Sequence, residues 1–161
     1  MAATSVGSGR QTKKWQPLSL PWRMFFYALQ AYFIEVNFAA AVDLFASGNL
    51  ALRGWSSVWA LIIYSVAAVI MEKIRDVLKP RGYPLAVIAF AHMCCMYLCE
   101  FTSGCILKPF GACYWTYEGF RFNVAGLVTL EYAPLWYFLG VVFEIFYAPN
   151  LFRLGWTEHV D

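Results

Sequence analysis

Glutamate is expensive to place in an apolar helix, and this chain does so repeatedly. Glu100 stands in Tyr97-Leu98-Cys99-Glu100-Phe101-Thr102-Ser103-Gly104-Cys105, inside an apolar run from Tyr83 to Leu107. Thiols and tyrosines aside, the other ionisable side chain of that run is His92. Tyr32-Phe33-Ile34-Glu35-Val36-Asn37 echoes the pattern 65 positions earlier, and Glu131 follows in Thr129-Leu130-Glu131-Tyr132. A carboxylate well inside a membrane-length apolar segment marks a cation or proton site by default, because its cost must be met by a partner, a proton or an ion. Three ionised acids at one depth would repel, so at least one would be protonated or neutralised by a cation. The competing reading is structural: tyrosines, Asn37, Thr102, Ser103 and Arg121 satisfy Glu35, Glu100 and Glu131, which then only fix helix packing.

Other candidates are weaker. Glu72 and Glu144 end apolar runs and read as interface residues paired with Lys73, Arg75 or Arg153. His92, Cys95 and Cys99 fall at i, i+3 and i+7, a spacing that can share a metal but that a cysteine-containing core helix produces as well. There is no Gly-rich phosphate loop and no paired nucleophile and base, so neither nucleotide hydrolysis nor another enzymatic activity is expected, nor a cofactor.

The elements that must position these acids are apolar. The 161 residues are 61% hydrophobic, 19% aromatic and 14% charged, more apolar surface than a soluble domain of this size can hide. A net charge of +2 gives no argument for a nucleic-acid partner. The expected fold is an all-α membrane protein of four transmembrane helices, at about Met24–Ala46, Trp55–Leu78, Tyr83–Leu107 and Val124–Ala148. In domain terms, a disordered cytosolic tail (1–20) precedes the transmembrane domain (21–148), and a short cytosolic tail (149–161) follows. No cleavable signal peptide is evident, so the first span would itself direct insertion. Small residues flank both acids: Ala28, Ala31 and Ala39 share a stripe with Glu35, and Ser103 and Gly104 follow Glu100. Pro134 is expected to kink or loosen the fourth span beside Glu131. The aromatic connection from Lys108 to Asn123 is expected to fold back on the interface.

A shift of 72 aligns the second span with the fourth, Gly54 meeting Gly126 and Glu72 meeting Glu144, while the first and third align at 65. Two helices per half make two parallel two-helix repeats. Basic residues set the orientation. Arg10, Lys13, Lys14, Arg23, Lys73, Arg75, Lys79, Arg81 and Arg153 lie on one side and Arg53, Lys108 and Arg121 on the other, which puts both termini in the cytosol (N-in/C-in). At about 1.5 Å per residue, Glu35, Glu100 and Glu131 then share one outer layer. Cys105 and Cys113 would face the non-cytosolic side and are close enough in sequence to pair; alternatively Cys113 packs beside Trp115.

With these residues placed, the chain resembles the transmembrane protein 229 family, which is related to small bacterial membrane proteins labelled ABC-transporter permeases. The resemblance covers about Trp22 to Trp156 and rests on Tyr32–Val36, Ser57-Val58-Trp59-Ala60-Leu61-Ile62-Ile63-Tyr64, Glu100–Gly104 and Gly126-Leu127-Val128-Thr129-Leu130-Glu131-Tyr132. The family's loop reads Cys, then Trp-Asp-Tyr; here Thr116 replaces the aspartate in Cys113-Tyr114-Trp115-Thr116-Tyr117. The resemblance implies a multi-pass protein, with an ATPase partner if the permease label is meaningful. The sequence therefore supports two functions. One is a small cation- or proton-linked transporter or channel-like protein in the lipid bilayer, using Glu35, Glu100 and Glu131, as a homo-oligomer if one copy encloses too little polar volume. The other is a non-enzymatic membrane adaptor or assembly factor.

Overall fold

Long apolar runs interrupted only by turn residues become helices. The computed structural model describes residues 12–160, which are mostly helical. Helix α1 spans Leu20–Ser47, with Pro21 in the first turn, where a missing N–H costs nothing. It stops at Gly48, whose left-handed φ of 69° lets its N–H reach the Leu44 carbonyl at 2.8 Å. Helix α2 (Val58–Leu78) starts where the Ser57 side chain accepts the Trp59 N–H. A turn at Lys79–Arg81 leads into α3 (Leu85–Leu107), followed by a second such turn at Lys108–Phe110.

The last helix starts later than the sequence predicts. Val124–Thr129 is a small hairpin, β2 (Asn123–Val124) against β3 (Val128–Thr129), followed by a tight turn at Leu130–Tyr132. Asn123 makes the hairpin: its side-chain oxygen takes the Gly126 N–H at 2.9 Å while Gly126 sits at a φ of 70°. Helix α4 (Ala133–Val142) then begins with Pro134 in its first turn, so this proline starts the helix and does not kink it. The rod continues through a π-turn, Phe143–Tyr147, into α5 (Ala148–Leu151).

The helices run alternately up and down. Within each half, α1 packs on α2 and α3 on α4, and α2 meets α3 in the middle. Small residues allow close approach: Gly140 of α4 lies so near the Ala89 carbonyl that a Cβ would stand 2.8 Å from it. Met71, Met96, Phe143 and Leu151 join Tyr27 in the buried core, which sits towards one end. At that end Thr12–Pro17 (strand β1) pairs antiparallel with Gly155–Val160 (strand β4). The sequence predicts no structure for residues 1–20; the part from Thr12 on is instead held by backbone pairing to the far end of the chain, and residues 1–11 lie outside the described ones.

The outward faces are apolar, with Phe33, Phe90, Leu98, Phe138 and Ile145 each more than half exposed. So large an apolar exterior suits contact with lipid. Among the described residues two helices, α1 and α3 with its turn to Phe110, are long and apolar enough to cross a membrane. Helix α2 carries Glu72, Lys73, Arg75 and Asp76 in its final turns, and the last rod is broken by the π-turn.

Candidate functional site: a carboxylate-bearing cavity between α1 and α4

Helix α1 meets the last rod and the turn before it through side chains, Tyr27 against Phe143 and Tyr147 and Phe38 against Tyr132. Between them lies a cavity of about 500 Å³, walled by α1, α2, α3, α4 and the 114–117 stretch of the loop after α3. Glu35 and Glu100 both line it, and among the described residues they are the only formally charged side chains that do, with no Lys, Arg or His beside them.

Each acid meets a tyrosine from that loop. Glu100 is 8% exposed, and Tyr117 donates its hydroxyl to Oε1 at 2.6 Å. Its Oε2 has no hydrogen-bond partner among the described residues. Glu35 is half-buried and accepts the Tyr114 hydroxyl at 3.4 Å, with Tyr64 and Ser56 close by. Burial first, then the neighbouring carboxylates, raises the Tyr114 and Tyr117 hydroxyls well above the ordinary tyrosine range, so both stay protonated donors at physiological pH. Neither acid has a salt bridge among the described residues. An ionised carboxylate buried without a cation is costly, so this arrangement suits exchange of a proton for a positively charged species.

The loop is held as a lid over this end of the bundle. Tyr117 N–H bonds the Gly126 carbonyl at 2.8 Å, Trp115 Nε1 donates to the Leu127 carbonyl at 3.0 Å, and Tyr97 on α3 donates to the Thr129 carbonyl at 2.8 Å. The aromatic loop thus turns into this end of the bundle. Gly54, in the loop between α1 and α2, closes the other side: a Cβ there would stand 1.9 Å from the Val36 carbonyl.

Glu131, expected in the same layer, does not line the cavity. It is exposed in the turn before α4, accepting the Phe122 N–H at 3.0 Å and the Thr129 hydroxyl. The Thr129 bond, with the backbone bonds, holds its carboxyl below the usual range. The hairpin and turn that precede α4 leave Glu131 outside the cavity lining.

The opposite end holds the other matched acids. Glu72, 2% exposed, takes Arg23 through both oxygens at 3.0 and 3.3 Å and the Tyr27 hydroxyl at 2.5 Å. Glu144 takes Arg75 at 3.1 Å and Lys79 at 2.7 Å. The Phe152 ring lies under both Arg23 and Arg75, joining the clusters. Arg75 is among the partners the sequence offers for Glu144; Arg23 is not among those it offers for Glu72, because the sequence assigns it to the basic tail. Lys73 instead faces Asp76 at 3.9 Å.

The five cysteines are free, and Cys113 Sγ donates to the Trp115 carbonyl at 3.4 Å, the alternative to pairing with Cys105. His92 is buried with Nδ1 3.3 Å from the Gly140 carbonyl and its ring against Phe143. Among the described residues no three His, Cys, Asp or Glu gather where a metal would bind.

A family model described as putative ABC-transporter type IV matches residues 22–159, which takes in α2, α3, α4, the lid and all but the first two residues of α1. The chain belongs to that family. Membership agrees with the permease-like relation expected from the sequence, and both Glu35 and Glu100 fall within the matched family region. No solved structure matches the chain.

Proposed function

We propose that this family member is a multi-pass membrane protein that carries a cation or proton on Glu35 and Glu100. The observation that supports it best is the cavity itself: a nearly buried Glu100 with an unpaired oxygen, a second acid beside it, and no cationic side chain on the walls. The proposal includes four crossings, with the Arg23, Arg75 and Lys79 end and both termini cytosolic, because the basic residues gather there and apolar side chains cover the flanks. The two helical hairpins are proposed as parallel repeats, since Glu35 and Glu100 share one end and Glu72 and Glu144 the other. Within the family, the quoted motifs are the support for the proposed kinship with the transmembrane protein 229 proteins. The family's transporter description makes an ATPase partner the natural expectation, and a second copy of the chain would enlarge a narrow pathway. The proposed protein is non-enzymatic and has no resident cofactor.

The adaptor reading draws on one observation: Tyr117 and Tyr114 already bond the two acids to the lid, which a purely structural carboxylate would also do. Proton counting separates the two. In unbuffered nanodiscs, adding Na⁺ or K⁺ to the wild-type protein releases protons, and Glu100→Gln releases none. A wild type that exchanges no protons over a wide range of cation concentration leaves the adaptor.

A further inference from the structure

A bare divalent cation does not account for the shape of this cavity. Divalent cations take six or more oxygens around them. Here the carboxylates gather at the mouth, under the lid, and the remaining wall runs to Met71, Phe143 and Val142. At about 500 Å³ the space falls within the range that holds a whole organic molecule, about 300–1,000 Å³.

The mouth has the composition that recognises organic cations. Tyr64, Tyr114, Trp115, Tyr117 and Tyr132 line it beside Glu35 and Glu100. Ring faces attract a cation through their quadrupole, more strongly where water is excluded, and they do so without the oxygen shell a divalent ion requires. Two carboxylates add the counter-charge, and the nine-tenths-buried Glu100, bonded by Tyr117 at Oε1 alone, leaves Oε2 without a hydrogen-bond partner among the described residues.

We propose that the cavity binds a lipophilic organic cation, its charge between Glu35, Glu100 and the tyrosine rings and its apolar body along α1 and α4. This rests on the reading of Glu35 and Glu100 as charge-carrying groups and names the class of ligand they would hold. Binding displaces the protons that neutralise the acids, so one proton leaves for each positive charge that enters a protonated site.

The test uses the full chain in nanodiscs of zwitterionic lipid, with radiolabelled tetraphenylphosphonium as probe and tetraphenylborate as an anion of the same shape. Saturable binding of the phosphonium and not the borate is expected. Glu100→Gln weakens it at least tenfold. Ala31→Trp, which fills the apolar wall and leaves the acids in place, abolishes it. Equal uptake of both ions, no saturable phosphonium binding, or binding unchanged in a folded Ala31→Trp protein overturns the proposal. Proton release by Na⁺ or K⁺ is measured on the same samples. If that release persists in the wild type and vanishes in Glu100→Gln while the phosphonium does not bind, the organic ligand is wrong and the carboxylate reading stands. If neither occurs, both fall.

Discussion

Tyr117 donates its hydroxyl to Oε1 of Glu100 at 2.6 Å, which ties the lid to an acid about two turns inside the end of α3. Tyr114 makes the looser counterpart with Glu35 at 3.4 Å. The lid's seat is therefore the candidate site itself, and anything that changes the charge of Glu100 changes what holds the lid.

Tyr117→Phe removes the donor and leaves a buried oxygen unpaired, which costs about 1–3 kcal/mol. Limited proteolysis should cut the 108–132 segment faster than in the wild type. Tyr114→Phe should have the smaller effect, because its bond is longer and Glu35 is less buried. Equal cleavage of both variants and the wild type would show that the two bonds do not secure the lid.

Arg23→Ala strands Glu72, which is 2% exposed. Removing one partner of a buried pair costs about 3–5 kcal/mol, whereas Glu72→Gln, which still accepts from Tyr27, should cost nearer 1 kcal/mol. Thermal midpoints in detergent rank the two variants. The reverse order would mean that Arg23 is solvated in the folded protein and that the pair is peripheral.

Much of this was legible in the sequence, and the omissions have causes. Apolar runs ending at Gly48, Ser57 and Gly82 fix α1 and α2, and the 65-residue echo brings Glu35 and Glu100 together. Glu131 was misplaced because Val124–Leu130 is as apolar as a helix, and only the Asn123–Gly126 bond shows the turn. The tyrosine partners were invisible because Tyr117 meets Glu100 by tertiary folding, and no local period records that. The pairing of Thr12–Pro17 with Gly155–Val160 joins opposite ends of the chain and likewise leaves no local mark.

Gly54→Ala should disturb α1 next to Glu35, since the new Cβ would stand 1.9 Å from the Val36 carbonyl and neither backbone can yield cheaply. Overpacking of this kind costs about 1–3 kcal/mol. The expected result is a lower folded yield and a lower melting point, with Gly48→Ala as the comparison: open space surrounds that position, so its cost is backbone strain alone at a φ of 69°. A melting point for Gly54→Ala equal to that of the wild type would mean that the loop does not pack here.

Hairpin stability should depend on acid pH through Glu131. Its carboxyl is held below the usual range, chiefly by Thr129, so its folded form binds a proton less readily than its unfolded form. The stabilisation is fully present above the unfolded value and is lost as pH falls through the folded one. Exchange of the Phe122 N–H, corrected for intrinsic rate, should speed up on acidification in the wild type and show no such step in Glu131→Gln. A step in both would assign the effect to another group.

Topology has a direct check. Glycosylation acceptors inserted separately in the 108–123 loop and the 79–82 turn should be modified in the first and not in the second. The opposite result would invert the proposed orientation.

The central claim is that Glu35 and Glu100 carry charge and do not merely hold helices together. Proton or cation flux into liposomes, measured for the wild type and for Glu35→Gln and Glu100→Gln proteins of normal folded yield, tests it most directly. The account predicts flux in the wild type and its loss in both variants, because glutamine keeps the shape and hydrogen bonding but not the charge. Flux that continues unchanged in both variants would contradict it.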